Sequence, residues 1–174
     1  YFSTKDYDAE VIVVDDGSSD GTPDKVHAWE KRARVHLIQR TEKPDLTASI
    51  LAGVAAAHSD VIVVMDADLS HPPERLSALV TPVLNGNFDV AVGSRYVPGG
   101  STENWPLHRQ LLSRVGGWIA RPICDVNDAT SGFFAFRREL AANISGNAHG
   151  YKILLELLMA HHGKLRVIEV PICF

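Results

Sequence analysis

The chain has 174 residues, 45% apolar and 22% charged, with 17 Lys and Arg against 21 Asp and Glu for a formal net charge of −4. That length suits one domain with a sizeable core, and the composition excludes a disordered or fibrous polymer. The acidic balance argues against broad nucleic-acid binding, which needs a positive surplus to release counterions from phosphate.

Short β-branched runs alternate with longer helical patterns, the signature of βαβ units and a mostly parallel sheet. Val11 to Val14 is a continuous apolar run, expected as a strand covered on both faces, and it ends at the turn-rich Asp15-Asp16-Gly17-Ser18-Ser19-Asp20-Gly21. Thr22-Pro23-Asp24 supplies a helix start, with proline and an acid in the first turn, and predicts a helix to about Arg32. Arg34 to Ile38 reads as the second strand, Leu46 to Ala57 as an Ala-rich helix, and Asp60 to Met65 as a third strand, buried by its composition. Pro72-Pro73 opens a helix that Pro82 should kink or end early, with Asn85-Gly86-Asn87 as its stop. Phe88 to Val92 is the fourth strand, followed by a glycine-rich loop over 93–102. Trp105 to Ile123 reads as an amphipathic helix with Arg109, Arg114 and Arg121 along its polar flank. Tyr151 to His162 is a further helix and Leu165 to Val170 a final strand. Without repeats or a low-complexity linker, residues 1–174 read as a single domain.

Cys124 and Cys173 sit in no metal-binding spacing, and a reducing compartment is the default expectation. The longest apolar run, Val61 to Met65, is far short of a membrane span, and the first residues show no signal-peptide pattern. The eight histidines show no convincing ligand spacing and read as surface or core residues, and Trp29 reads as a packing residue.

Two acidic clusters follow the carboxyl ends of strands, where open α/β sheets place their ligands. Asp15-Asp16 and Asp66-Ala67-Asp68 are therefore expected to meet at one site. Carboxylates at i and i+2 can turn toward one point where a strand breaks into a loop, and hard oxygen donors suit Mg²⁺ or Mn²⁺. The plainer alternative is that such aspartates cap loops.

The run from Val11 through Asp15-Asp16-Gly17 to Thr22 resembles the nucleotide-binding segment of family 2 glycosyltransferases with the GT-A fold, and Met65 to Pro72 resembles their metal motif. Three further segments are similar to the dolichyl or polyprenyl phosphate mannosyltransferases: 93–100, Trp105 to Arg109 with Ser113-Arg114, and Asn127 to Phe133. The likeness spreads from Glu10 to Phe174. It implies a Rossmann-like GT-A sheet flanked by helices, and Val14 and Asp16 at the donor's base and ribose. It further implies Asp66, Ala67 and Asp68 at the pyrophosphate, with both acids holding Mg²⁺ or Mn²⁺. Arg95 would face the donor phosphate or sugar, so Asp68 and Arg95 are the catalytic candidates, while Arg109 and Ser113 would receive the acceptor phosphate. Ser70 stands where some members carry a Gln metal ligand, and Asp45 and Thr47 replace glycines usual before the second helix. Against the family pattern, an opening donor strand is expected before Tyr1 and a basic segment after Phe174.

The implied partners are GDP-mannose or another nucleotide sugar, polyprenyl or dolichyl phosphate, and the cytoplasmic face of a membrane. A metal on Asp66 and Asp68 would stabilise the leaving diphosphate, and the acceptor's phosphate, already anionic, would need no strong base. A single displacement would invert the donor linkage, unlike the two-carboxylate chemistry of a glycoside hydrolase. Three alternatives stay open: the same reaction with UDP-glucose, a phospho-accepting receiver domain, and an inactive nucleotide-binding module. On the Trp-flanked helix, Arg109 and Arg114 also fit a merely solvated flank.

Overall fold

The computed structural model describes residues 8–102, 125–144 and 152–173. These fall into two compact units, one within 1–59 and one from 60 onward.

In the first unit, β1 (Val11–Asp15) and β2 (Val35–Gln39) pair in parallel, with Val11 opposite Val35 and Asp15 opposite Gln39. The crossover between them is α1 (Thr22–Glu30), which starts one residue after Gly21, a position with φ of 82° that glycine tolerates at little cost. Asp20 accepts from the Thr22 N–H at 3.0 Å and the Thr22 hydroxyl at 2.6 Å, so the sequence Asp-Gly-Thr-Pro fixes this start. No residue of α1 is buried, and Trp29 is 58% exposed instead of packed as expected. α2 (Leu46–Ala56) lies against β1, where Gly53 approaches so closely that a Cβ would stand 3.3 Å from Cγ2 of Val14. Val11 to Val14 are half-buried, not covered on both faces, because β1 has β2 as its one sheet neighbour among the described residues.

The second unit is a four-stranded mixed sheet in the order β3-β5-β4-β6. Its strands are β3 (Val61–Val64), β4 (Val90–Ser94), β5 (Phe134–Arg137) and β6 (Val167–Pro171). The parallel pairing expected from the alternating pattern holds for β4 with β6, but β5 runs antiparallel between β3 and β4. Position in the sheet explains burial: β4, flanked on both sides, is buried throughout, whereas β3, outermost in the described sheet, is half-buried, less than its composition suggested.

A 3₁₀ turn at Pro73–Arg75 leads into α3 (Leu76–Leu84), which carries Pro82 in its last turn without ending earlier. Leu76, Leu79 and Val83 at i, i+3 and i+7 form its inner stripe and pack with Ala91, Phe133, Ala135, Val170 and Ile172 into the core. A second 3₁₀ segment, Arg138–Asn143, follows β5, and α4 (Ile153–Ala160) buries Ile153, Leu154, Leu157 and Leu158. At the opposite end of the strands from the acidic loop, Asp89 ties β4 to β6 by accepting from Arg166 Nη2 at 2.8 Å, Nε at 3.1 Å and the backbone N–H at 2.9 Å. The helix expected over Trp105 to Ile123, with Arg109 and Ser113, lies outside the described residues.

Candidate active site

In the second unit, β3 stops at Val64 and the chain turns out through Met65, Asp66, Ala67 and Asp68. Asp66 is seated from two directions. Its backbone N–H donates to Nδ1 of His71 at 2.9 Å, and Nε2 of the same ring stands 3.8 Å from its Oδ2. On another side, Gly132 leaves room for the carboxylate: a Cβ there would come within 3.2 Å of Asp66 Oδ2 and 3.3 Å of His71 Cε1. His71 is 1% exposed and stacks on Phe133 with ring centroids 5.0 Å apart and planes 11° from parallel. Burial pushes the His71 pKa down, against the pull of the Asp66 and Asp68 charges.

Asp68 is exposed and accepts the Ser70 N–H at 2.9 Å. The Ser70 hydroxyl beside it, together with that N–H, holds its carboxyl below the ordinary aspartate range, although the hydroxyl itself is buried and outside hydrogen-bond geometry. Leu69, between them, adopts φ of 66° and is 93% exposed. The loop thus offers two carboxylates two residues apart, Asp68 held ionised and exposed and Asp66 seated beside His71 and Gly132.

Arg95, just past β4, is held by a buried fork. Asp128 accepts from Arg95 Nη2 at 2.7 Å, Nε at 2.8 Å and the backbone N–H at 3.1 Å, with 8% of the arginine side chain and 0% of the aspartate exposed. Burial lowers the guanidinium's proton affinity, but the Asp128 bonds and charge outweigh it and raise its pKa. Asp128 is itself placed by Glu169 on β6, whose Oε2 accepts the Asn127 N–H at 2.9 Å and side-chain amide at 2.7 Å, and whose Oε1 accepts the Asp128 N–H at 3.0 Å. Ser131 completes the turn by donating to the Gly93 carbonyl at 2.7 Å.

The first unit places the other acidic pair. Asp15 is buried and accepts the Gly17 and Ser18 N–H groups at 3.2 and 3.1 Å, the loop-capping role weighed against function in the sequence. Asp16 takes Arg40 Nη1 on Oδ1 at 2.5 Å, and on Oδ2 the Asp45 N–H at 3.0 Å and Ser49 hydroxyl at 2.6 Å. Burial would raise its pKa, but the Ser49, Asp45 and Arg40 interactions prevail and lower it. Asp45, which departs from the expected glycine, is the N-cap of α2, accepting the Ala48 N–H at 2.9 Å, while Thr47 is buried.

The sequence motifs had marked Asp66, Asp68 and Arg95 but assigned no role to His71, Asp128, Gly132 or Glu169. Only their inclusion in recognisable segments hinted at His71, Asp128 and Gly132, and nothing about Glu169 distinguishes it from any strand glutamate.

Residues 2–145 match the model of the glycosyl transferase family 2. The chain belongs to that family. It is 45% identical over 170 residues to a dolichol-phosphate mannosyltransferase of Pyrococcus furiosus, covering 95% of this chain and 47% of that protein. A polyprenol monophosphomannose synthase of Mycolicibacterium smegmatis is 42% identical, with 94% and 66% covered. An undecaprenyl-phosphate mannosyltransferase of Micrococcus luteus is 37% identical, with 96% and 72% covered. The chain thus spans about half the length of the Pyrococcus relative. Among solved structures, glucosyl-3-phosphoglycerate synthase of Mycobacterium tuberculosis superimposes with a TM-score of 0.70 at 22% identity, over 94% of this chain and 60% of that one. The same enzyme solved with Mn²⁺, UDP-glucose and phosphoglyceric acid gives 0.72 at 22% identity, over 93% and 58%. These likenesses establish the GT-A fold. They remove the receiver-domain alternative, and the antiparallel β5 has no counterpart in that module's parallel doubly wound sheet.

Proposed function

We propose that this glycosyltransferase family 2 chain carries the catalytic core of an enzyme that transfers mannose from a nucleotide sugar, GDP-mannose, to the phosphate of a polyprenol. The similarity to three polyprenyl-phosphate mannosyltransferases supports the reaction class. The observation that carries the site is the seated Asp66 with the ionised, exposed Asp68 two residues on.

The donor set fits a divalent metal of the Mg²⁺ or Mn²⁺ type. Among the described residues no group of three or more His, Cys, Asp or Glu side chains is arranged to hold a metal by itself. Two carboxylates with the remaining positions left to phosphate oxygens and water is the coordination these hard ions prefer. Asp66 and Asp68 would hold the ion, which supplies Lewis-acid stabilisation of the departing diphosphate. Arg95, its guanidinium kept cationic and aimed by Asp128, places fixed positive charge beside the donor phosphate or sugar without reorganisation during the reaction. Asp16 stays ionised, and with three of its four lone-pair positions occupied, one on Oδ1 remains to accept a ribose hydroxyl next to Val14.

The acceptor's phosphate oxygen attacks the anomeric carbon directly, with inversion; no described carboxylate is needed as its base. Arg109 and Ser113 receive that phosphate at the cytoplasmic surface of a membrane. No helix among the described residues is long and apolar enough to cross a membrane.

Calorimetric titration of GDP with and without Mn²⁺, on wild type and Asp68→Asn, tests the reading. Metal-dependent binding in wild type and its loss, at least tenfold, in the folded variant is the expected result. Equal binding with and without Mn²⁺ would overturn it in favour of a metal-free nucleotide-binding module. A thermal-shift panel of GDP-mannose against UDP-glucose then ranks the donors, since ligand bound to the folded state alone raises the melting temperature.

A further inference from the structure

We propose that His71 is a positioning residue for the metal site, acting as a neutral imidazole whose Nε2–H aims the Asp66 carboxylate. The inference rests on the reading of Asp66 and Asp68 as metal ligands.

The argument begins with the tautomer. The Asp66 backbone N–H donates to His71 Nδ1 at 2.9 Å, so Nδ1 must present a lone pair and the ring proton of the neutral form resides on Nε2. That nitrogen is the one facing Asp66 Oδ2, at 3.8 Å. One residue therefore sets both ends of the contact: its main chain fixes which nitrogen carries the proton, and its side chain faces that proton.

The ring has little room to move. It is 1% exposed and lies flat against Phe133, whose own side chain is fully buried in the core. Gly132, the residue before Phe133, closes the seat by leaving space that a methyl group would take from Asp66 Oδ2, at 3.2 Å. A carboxylate whose own main chain is tied to the ring, with Nε2 3.8 Å from its Oδ2 and a close backbone at Gly132, presents a defined face to a cation. That matters most where the protein supplies few ligands, because each misdirected oxygen is then a large share of the coordination. A histidine serving only to fill the core would need neither the main-chain bond to the loop nor the orientation of Nε2 toward the carboxylate.

The two nitrogens can be separated chemically. Asn at 71 retains an oxygen near the Nδ1 position to accept the Asp66 N–H but removes the donor to the carboxylate. Gln restores an N–H near the Nε2 position. The test is Mn²⁺ binding to the intact protein, read by the electron paramagnetic resonance signal of free Mn²⁺ in the presence of GDP, with circular dichroism to establish folding. His71→Asn is expected to weaken Mn²⁺ binding about tenfold, and His71→Gln to recover most of that loss. In turnover, the Asn variant should recover with added Mn²⁺ while its KM for the donor at saturating metal stays near wild type. Gly132→Ala provides a second variant that disturbs the same seat, its Cβ coming within 3.2 Å of Asp66 Oδ2 and 3.3 Å of His71 Cε1, and it too should weaken Mn²⁺ binding. If folded His71→Asn and Gly132→Ala both bind Mn²⁺ within twofold of wild type while Asp66→Asn abolishes binding, the positioning role is wrong and the metal site stands. If Asp66→Asn also binds as wild type, the metal reading itself fails.

Discussion

Removing the carboxylate of Asp128 should be among the most damaging single changes in the second unit. Asp128 is fully buried and accepts three N–H groups of Arg95, whose side chain is 8% exposed. Each charged hydrogen bond contributes about 1.5–3 kcal/mol, but the bonds do not add, because the desolvation of both ions opposes them. The relevant quantity is the cost of leaving the guanidinium buried without its counterion, about 3–5 kcal/mol for Asp128→Ala. Against a domain stability of about 5–15 kcal/mol this is a large fraction. With a urea slope of about 2–3 kcal/mol/M, a loss of about 4 kcal/mol lowers the midpoint by roughly 1.5 M. The assay is urea unfolding with hydrogen exchange on the second unit, so that its transition is read separately from that of the first. Arg95→Met combined with Asp128→Leu should recover much of the loss, since it removes both charges together. A loss below about 1 kcal/mol for Asp128→Ala, or a double variant no more stable than the sum of the two single ones, would refute the argument that an uncompensated buried charge dominates.

Gly100→Ala should destabilise by at least about 2 kcal/mol, measured by thermal unfolding, because its Cβ would stand 2.6 Å from the Ser94 carbonyl oxygen, and backbone cannot yield as a flexible side chain does. Arg40→Met should raise the Asp16 pKa by removing one of the interactions that lower it, seen by NMR titration of the carboxyl, so that Asp16 contributes less stability above the ordinary value of 3.8 and the acid limb of the first unit is shallower than in wild type. The Asp89 pKa is lowered chiefly by its bonds with Arg166, so its contribution is present above the ordinary value of 3.8 and is lost as pH falls through the lower folded value. Asp89→Asn should therefore flatten the acid limb of a stability-against-pH profile while lowering stability at neutral pH.

Much of the fold is written locally. The β-branched runs at 11–14, 61–64 and 167–170 each form strands, and Asp20-Gly21-Thr22-Pro23 starts α1 because each residue performs a separate capping or turn task. What stayed hidden is non-local. Phe133-Phe134-Ala135-Phe136 is a short apolar run whose length leaves its strand direction undetermined, and its place between β3 and β4 follows from pairing partners that are distant in sequence. Trp29 shows the converse: an aromatic at a helical position invited burial, yet α1 buries none of its residues. The acidic motifs were visible because their chemistry is carried by adjacent residues. The bonds from Glu169 to Asn127 and Asp128 span 42 and 41 positions, and no spacing rule connects them.

β5 explains why the two halves of the second unit's candidate site depend on one another. Phe134 is the register partner of both Val64 at the end of β3 and Val92 in β4. The residues just before it therefore lie at the exits of both strands. Gly132 borders Asp66, Phe133 supports His71, and the Phe133 carbonyl accepts the Gly93 N–H at 2.8 Å as Ser131 donates to the Gly93 carbonyl. Side chains alternate with a period of two along a strand, so a slip of one residue in β5 would turn Phe134 and Phe136 to the other face and move Gly132 away from the carboxylate. The same slip would carry Asp128 out of line with Arg95. The burial of Phe133, Phe134, Ala135 and Phe136 penalises that slip strongly, so the core that makes β5 a strand also holds the acidic loop and the arginine fork in register.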